Sequence, residues 1–326
     1  MTGNLLVLFL ALLLDRIVGD PDALWRRLPH PVVIFGKAIS MMERQLNKPA
    51  LSPETRKRNG VITIAVLLAE SIVMGLILHY VLSMLGWLGL FLEAIVAAVF
   101  LAHKSLSDHV QAVARGLRDG GIEGGRLAVS MIVGRDPQTL DEPAVCRAAI
   151  ESLSENFSDG VVAPAFFFAL FGLPGLFAYK MLNTADSMIG HKSDRYFQFG
   201  WASARLDDLA NLIPARLSML LIGAGAIWCL GADAGKNAVR VALRDAGLHR
   251  SPNSGWPESA MAGAVDIQLA GPRIYGGERV SEPMLNGAGR ANATPADIDT
   301  SIAVFHGAGS ALAVLVGLLF LLGLLG

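Results

Sequence analysis

Residues 61–102 read VITIAVLLAESIVMGLILHYVLSML, then GW, then LGLFLEAIVAAVFLA. Crossing the hydrocarbon core of a bilayer, about 30 Å thick, takes a helix of roughly 20 apolar residues. Val61–Leu85 exceeds that length, and Arg56-Lys57-Arg58 stands just before it. Leu88–Ala102 follows after a Gly-Trp-Leu-Gly break, so the pair predicts a helical hairpin in the membrane. Glu70, His79 and Glu93 fall inside these runs and read as groups hydrogen-bonded within a helical bundle.

Four more apolar runs flank the hairpin: Leu5–Leu14, Val161–Ala178, Leu209–Leu230 and Ile302–Leu325. The last two are long enough to span. Val161–Ala178 is interrupted by Gly172-Leu-Pro174-Gly175 and reads as a broken or re-entrant helix. The N-terminal run lacks a basic flank (MTGN), and Asp15, Arg16 and Asp20 follow it instead of a small-residue cleavage site, so it reads as an uncleaved helix. The expected fold is all-α, a polytopic integral membrane protein with four to six membrane-embedded helices. Composition agrees: 17% of the 326 residues are charged and 53% hydrophobic, against about 25% charged in an ordinary globular domain. Mean hydropathy is +0.48.

Polar segments 19–60, 103–160 and 231–300 separate the runs, and none marks a separable soluble domain, so residues 1–326 read as one integral membrane domain. Asp15–Gly60 holds nine Lys or Arg, which marks a cytoplasmic loop of a cell (inner) membrane protein. If Val161–Ala178 crosses, Tyr179–Asp208 lies away from the Glu151 region; if it is re-entrant, the two share a face. Net charge is −1, which gives no argument for nucleic acid, and two cysteines support neither a disulfide framework nor a metal cluster.

Chemistry concentrates between Arg147 and Arg216. Asp141-Glu142-Pro143 predicts a helix start and Gly160 its stop. On that helix Glu151, Glu155 and Asp159 fall at i, i+4, i+8. Like charges at that spacing repel, and the helix C-terminus disfavours anions, so the ladder predicts a compensating cation, with Mg²⁺ the natural choice. Asn156 lies beside it. Lys180, Asn183 and Asp186 share a helix face, and His191, Lys192, Asp194 and Arg195 follow after Gly190. Lys and Arg suit phosphate, while Asp holds metal or acts as a base. Arg205, Asp207, Asp208, Asn211 and Arg216 form a third group, where Pro214 implies a kink. Asn253, Trp256 and Glu258 lie in SPNSGWPES. Lys236, Arg240 and Arg244 form a basic stripe, read as a solvated helix face or as contact with anionic headgroups. No P-loop, G-x-S-x-G elbow or H-E-x-x-H motif occurs.

The order of motifs DRIVGDP, LPHPV, KSLSDHV, IVGRDPQTLD, RAAIESLSENFSDGVVAP, YKMLNTADSMIGHKSDRY, ARLDDLANLIPAR and SPNSGWPESAMAGA resembles the CobD/CbiB family of cobalamin-biosynthesis membrane proteins, collinearly from Asp15 to about Gly277. Pro137 stands where Thr or another polar residue is expected. The resemblance implies an adenosylcobinamide-phosphate (cobinamide) synthase. Such an enzyme joins a propionate carboxyl of adenosylcobyric acid, a corrinoid, to (R)-1-amino-2-propanol or its O-phosphate, with ATP hydrolysed. Other corrinoid-assembly membrane enzymes are possible partners besides the lipid bilayer, and the site is expected on the cytoplasmic side.

An amine does not attack a carboxylate without activation, and an acyl phosphate is the economical route. Charge type then assigns Mg²⁺ to Glu151, Glu155, Asp159 and Asp186. Lys180, Lys192 and Arg195 would contact phosphates, and Asp194 or Asp207 would be the base. Substrate binding would fall to Asn156, Asn183, His191, Arg205, Asp208, Asn253, Trp256 and Glu258. Two other classes remain open to the residues alone. Asn183-x-x-Asp186 with Asp207-Asp208-x-x-Asn211 is reminiscent of Mg²⁺-diphosphate motifs in intramembrane prenyltransferases, and a corrinoid carrier or transport subunit is the non-enzymatic alternative.

Overall fold

The computed structural model describes residues 2–21, 25–133, 137–275, 278–280 and 282–325. Parts of GDPDALWRR, IVGRDPQTLD and GPRIYGGE therefore lie outside the described residues, and the turn before Pro137 with them. Helices dominate: α1 (Thr2–Val18), α2 (Pro31–Leu46), α3 (Pro53–Ser83), α4 (Gly86–Val99), α5 (His103–Val129), α6 (Glu142–Phe157), α7 (Ala163–Ile189), α8 (Trp201–Ala210), α9 (Leu212–Leu230), α10 (Ala232–Asp245), α11 (Gly255–Val265) and α12 (Pro295–Leu325). Among the described residues, four strands of two or three residues form two antiparallel pairs: β1 (Leu269–Ala270) with β4 (Met284–Leu285), and β2 (Arg273–Tyr275) with β3 (Glu278–Val280). Among the described residues, five helical stretches are long and apolar enough to cross a membrane: Pro53–Ser83, Trp87–Val129, Glu142–Ile189, Leu212–Leu230 and Pro295–Leu325. The protein is a multi-pass, all-α membrane protein.

Local chemistry sets the helix starts. His30 caps α2, its Nδ1 accepting from the Val32 N–H at 3.2 Å, with Pro31 in the first turn. Asp141 caps α6 by accepting from Ala144 N–H at 2.9 Å, again with a proline in the first turn. The α3–α4 hairpin forms as its apolar runs predict, and exposed His79 of α3 meets buried Glu93 of α4 at 3.1 Å, so only the carboxylate of this pair lies within the bundle.

Two expectations need correction. Gly160 does not stop a helix. A π-helical stretch over Ser158–Val162 carries α6 into α7, so Glu151, Glu155 and Asp159 lie within a continuing helical run. The macrodipole therefore does not act against them as at a terminus. Pro214 does not kink a helix either: the chain breaks at Asn211, and Pro214 falls in the first turn of α9, where no intrahelical amide bond is lost.

The apolar run Val161–Ala178 folds back on itself. Gly172 has φ 65° and ψ −151° within α7, a conformation essentially confined to glycine. Phe167 and Tyr179, on opposite sides of the hinge, stack with ring centroids 5.1 Å apart. A continuous helix would hold them about 18 Å apart, so the two halves of α7 fold against each other as a helical hairpin, the broken helix that the sequence offered as one alternative.

Contacts divide the chain into two compact units. The first holds Met1–Ala102, Ala163–Asn211 and Val316–Gly326, the second His103–Val162 and Leu212–Leu315. In the first, Phe35, Phe100 and Phe177 pack with centroids 4.9–6.2 Å apart, and α3 rests on the α7 hinge through Gly75 and Pro174. In the second, α5 turns at Gly121 so that Gly116 and Gly124 meet, and Gly225 of α9 meets Gly307 of α12.

Candidate active site

In the first unit the second half of α7 and the short α8 bring polar groups together. Asp207 is buried. Asn211 donates to its Oδ2 at 2.9 Å, and Tyr179 donates to the Asn211 Oδ1, also at 2.9 Å. Burial pushes the Asp207 carboxyl up to about 7, and the charge of Asp186 adds to the rise, while the Asn211 and Asn183 amides pull it down. Asp208, beside it, is also raised by burial, against which Arg205 and Lys192 act. Asn183, Asp186, Lys192, Arg205, Asp207, Asp208 and Asn211 thus form one neighbourhood, with Tyr179 as its buried support. Lys180 lies on the same helix, one turn before Asn183 and Thr184.

The His191–Arg195 loop is exposed, and its cations are not equivalent. Arg195 donates to both carboxylate oxygens of buried Glu43, at 2.9 and 3.0 Å. Its carbonyl accepts from Asn47 at 3.0 Å and from Arg56, which also donates to Asn47. Arg195, expected as a phosphate contact, also anchors its loop, since the bidentate pair fixes the guanidinium. Lys192 is the cation that reaches the acidic neighbourhood. Asp194 and His191 stay on the exposed loop, so the two candidate bases differ sharply in environment. Replacing Glu43 by Ala leaves Arg195 unpaired and the loop loose. An increase in KM for the anionic substrate of about tenfold with kcat within twofold is expected, and an unchanged KM would remove the anchoring role.

The second unit holds the other predicted residues. Glu155 Oε1 accepts from Ser254 Oγ at 2.9 Å, and Glu151 Oε1 accepts from the Ala270 N–H at 2.8 Å. The ladder's regular spacing therefore does not yield a shared ligand set: the two glutamates face different partners, and among the described residues no group of three His, Cys, Asp or Glu side chains converges to hold a metal ion. Asp159 lies in the π-helical stretch. Asn156 is turned back on its own helix, donating to Ser152 O at 2.9 Å. Arg216 donates to Asn253 Oδ1 at 3.2 Å and lies over the Trp256 ring, 4.6 Å from its centroid. Buried Glu258 sits 3.7 Å from His249 Nε2.

Residues 8–305 match the family model described as CobD/Cbib protein. The chain belongs to the CobD/CbiB family. Cobalamin biosynthesis protein CobD of a Sinorhizobium species is 70% identical over 93% of this chain and 94% of its own. The protein of that name from Sinorhizobium fredii is 66% identical over 97% of each chain, and that from Rhodobacter capsulatus 45% over 97% of each. No solved structure matches. Membership of the CobD/CbiB family places the protein in cobalamin biosynthesis. Three partners of the site carried no signal strong enough to single out: Glu43, whose role depends on a loop some 150 residues away; Tyr179, present in YKMLNTADSM but apolar in its surroundings; and His249, just ahead of SPNSGWPES.

Proposed function

We propose that this CobD/CbiB protein forms the amide between a propionate carboxyl of adenosylcobyric acid and 1-amino-2-propanol or its O-phosphate, with ATP as the activating co-substrate. The observation that carries the reading is buried Asp207, held by Asn211 and raised to about 7 beside Asp186. A carboxylate titrating near neutrality suits a group that takes a proton from an ammonium nucleophile.

The reaction divides into two balanced steps. The propionate oxygen attacks the γ-phosphorus of ATP and ADP leaves. The ammonium then gives one proton to Asp207, the free amine attacks the acyl carbon, and phosphate leaves carrying the second nitrogen proton. Lys192, Arg205 and Lys180 supply the positive charge that phosphoryl transfer needs. Mg²⁺ binds through one or two carboxylates plus substrate phosphates, and the oxygen donors around Asp186 and Asn183 fit that habit without a cage of protein ligands. When bound, it would neutralise phosphate charge. Asn253, Trp256 and Glu258, with His249 and Arg216, offer amide, aromatic and charged groups to the amide-rich rim of a corrinoid.

Membranes containing the protein, given adenosylcobyric acid, ATP and Mg²⁺ with either amine, should form cobinamide or its phosphate by mass spectrometry, and the preferred amine identifies the substrate. Asp186→Asn should lower the rate about 100-fold or more. Absence of ATP-dependent product with both amines would sink the proposal.

A further inference from the structure

The hairpin of α9 and α10 carries an open groove that amide formation leaves unused. The chain reverses at Gly231, and α10 lies back along α9 with Gly235 against Gly223 and Ile227. The groove between them has a volume of about 590 Å³. Leu220, Ala224 and Ile227 form its wall on α9, and Lys236, Arg240 and Leu243 line it on α10.

The charges on this groove are unequal in a way a plain solvated face does not explain. Arg244, the last cation of the stripe, is neutralised by Asp245 through bonds of 2.6 and 2.7 Å. Arg240 has no ion-pair partner among the described residues. Lys236 reaches only Asp233, at 3.4 Å and with that carboxylate fully in solvent, a pair of little energetic weight. Lys236 and Arg240 are one turn apart, so their Cβ atoms lie about 6 Å from each other, within reach of one phosphate, and Arg240 can snorkel toward the headgroups.

We propose that this groove binds one anionic phospholipid, its phosphate between Lys236 and Arg240 and an acyl chain along Leu220, Ala224 and Ile227. The apolar wall alone would accept any acyl chain; the two cations select the headgroup. Each cation near a membrane surface favours an anionic lipid by enough that two of them give a preference of roughly 30-fold.

The test is native mass spectrometry of the full-length protein released from detergent, titrated with phosphatidylglycerol or with phosphatidylcholine of the same chains. One phosphatidylglycerol should be retained at least tenfold more tightly than phosphatidylcholine. The K236Q/R240Q double variant should bring the two to parity, and A224W, which fills the groove and keeps both charges, should reduce retention of either lipid. Equal retention of both lipids by the unaltered protein overturns the proposal. So does undiminished phosphatidylglycerol retention in the double variant, or in A224W if the double variant fails to fold.

Discussion

Asp207→Asn is expected to separate catalysis from stability: amide formation falls by about 10²–10⁴-fold, while the protein becomes harder to unfold above neutral pH. The sign follows from where the proton binds. The ordinary value for this carboxyl is 3.8, and in the fold it is pushed up to about 7 by burial and then by Asp186. Between those pH values the folded state holds more protons than the unfolded chain, so stability falls as pH rises through the window and levels off above about 7. The cost at pH 8 is about 4 kcal/mol, from roughly three pKa steps at 1.36 kcal/mol each. Asn keeps the shape and a hydrogen-bonding oxygen for Asn211 but carries no charge, so the pH slope should vanish in the variant. Thermal unfolding in metal-free detergent buffer at pH 5 and pH 8 measures it. About 2.7 kcal/mol of that cost falls between pH 5 and pH 7, so the unaltered protein should lose roughly 5–11 °C between the two relative to the variant. Equal slopes would show that Asp207 is ionised throughout, and normal turnover in the variant would exclude it as the base.

The same residue shows where the sequence was legible and where it was not. ARLDDLANLIPAR marks Asp207 and Asn211 as neighbours one turn apart, because that spacing is local to a helix. Nothing local distinguishes Asp207 from Asp194 as the base. The difference is burial, and it comes from α7, whose Asn183 and Asp186 lie more than 20 residues earlier in the chain. The membrane class was readable because apolar runs of 20 residues state their solvent directly. The break in the helix was readable because Gly172-Leu-Pro174-Gly175 has no place in an unbroken span. The carboxylate ladder shows what helical spacing alone leaves out. Helical spacing lines up Glu151, Glu155 and Asp159, but the partners of the two glutamates arrive from Ser254 and Ala270, about a hundred residues on. A π-helical stretch then shifts the register at Asp159, and Gly160, which reads as a stop, is absorbed into it.

Gly75→Val should damage the first unit more than any polar substitution, although it touches no chemical group. A Cβ at position 75 would lie 2.6 Å from Pro174 Cα and 2.7 Å from Pro174 N, and backbone, unlike the far end of a side chain, cannot swing aside. Pro174 belongs to the first turn after the Gly172 hinge, so α3 or the hairpin must move. Overpacking of this kind costs about 3 kcal/mol or more, which in a unit of this size corresponds to a melting temperature lower by roughly 6–12 °C. The second half of that hairpin carries Lys180, Asn183 and Asp186, so any movement also pulls Asp186 away from Asp207. The variant should lose activity even where enough folded protein remains to assay. Gly3→Ala is the matched control, because nothing lies within 4 Å of a Cβ there, and it should leave both melting temperature and rate unchanged. A Gly75→Val protein with the melting temperature of its parent would mean that α3 does not pack on the hairpin. One with a lowered melting temperature but full activity would mean that the hairpin does not position the acid pair.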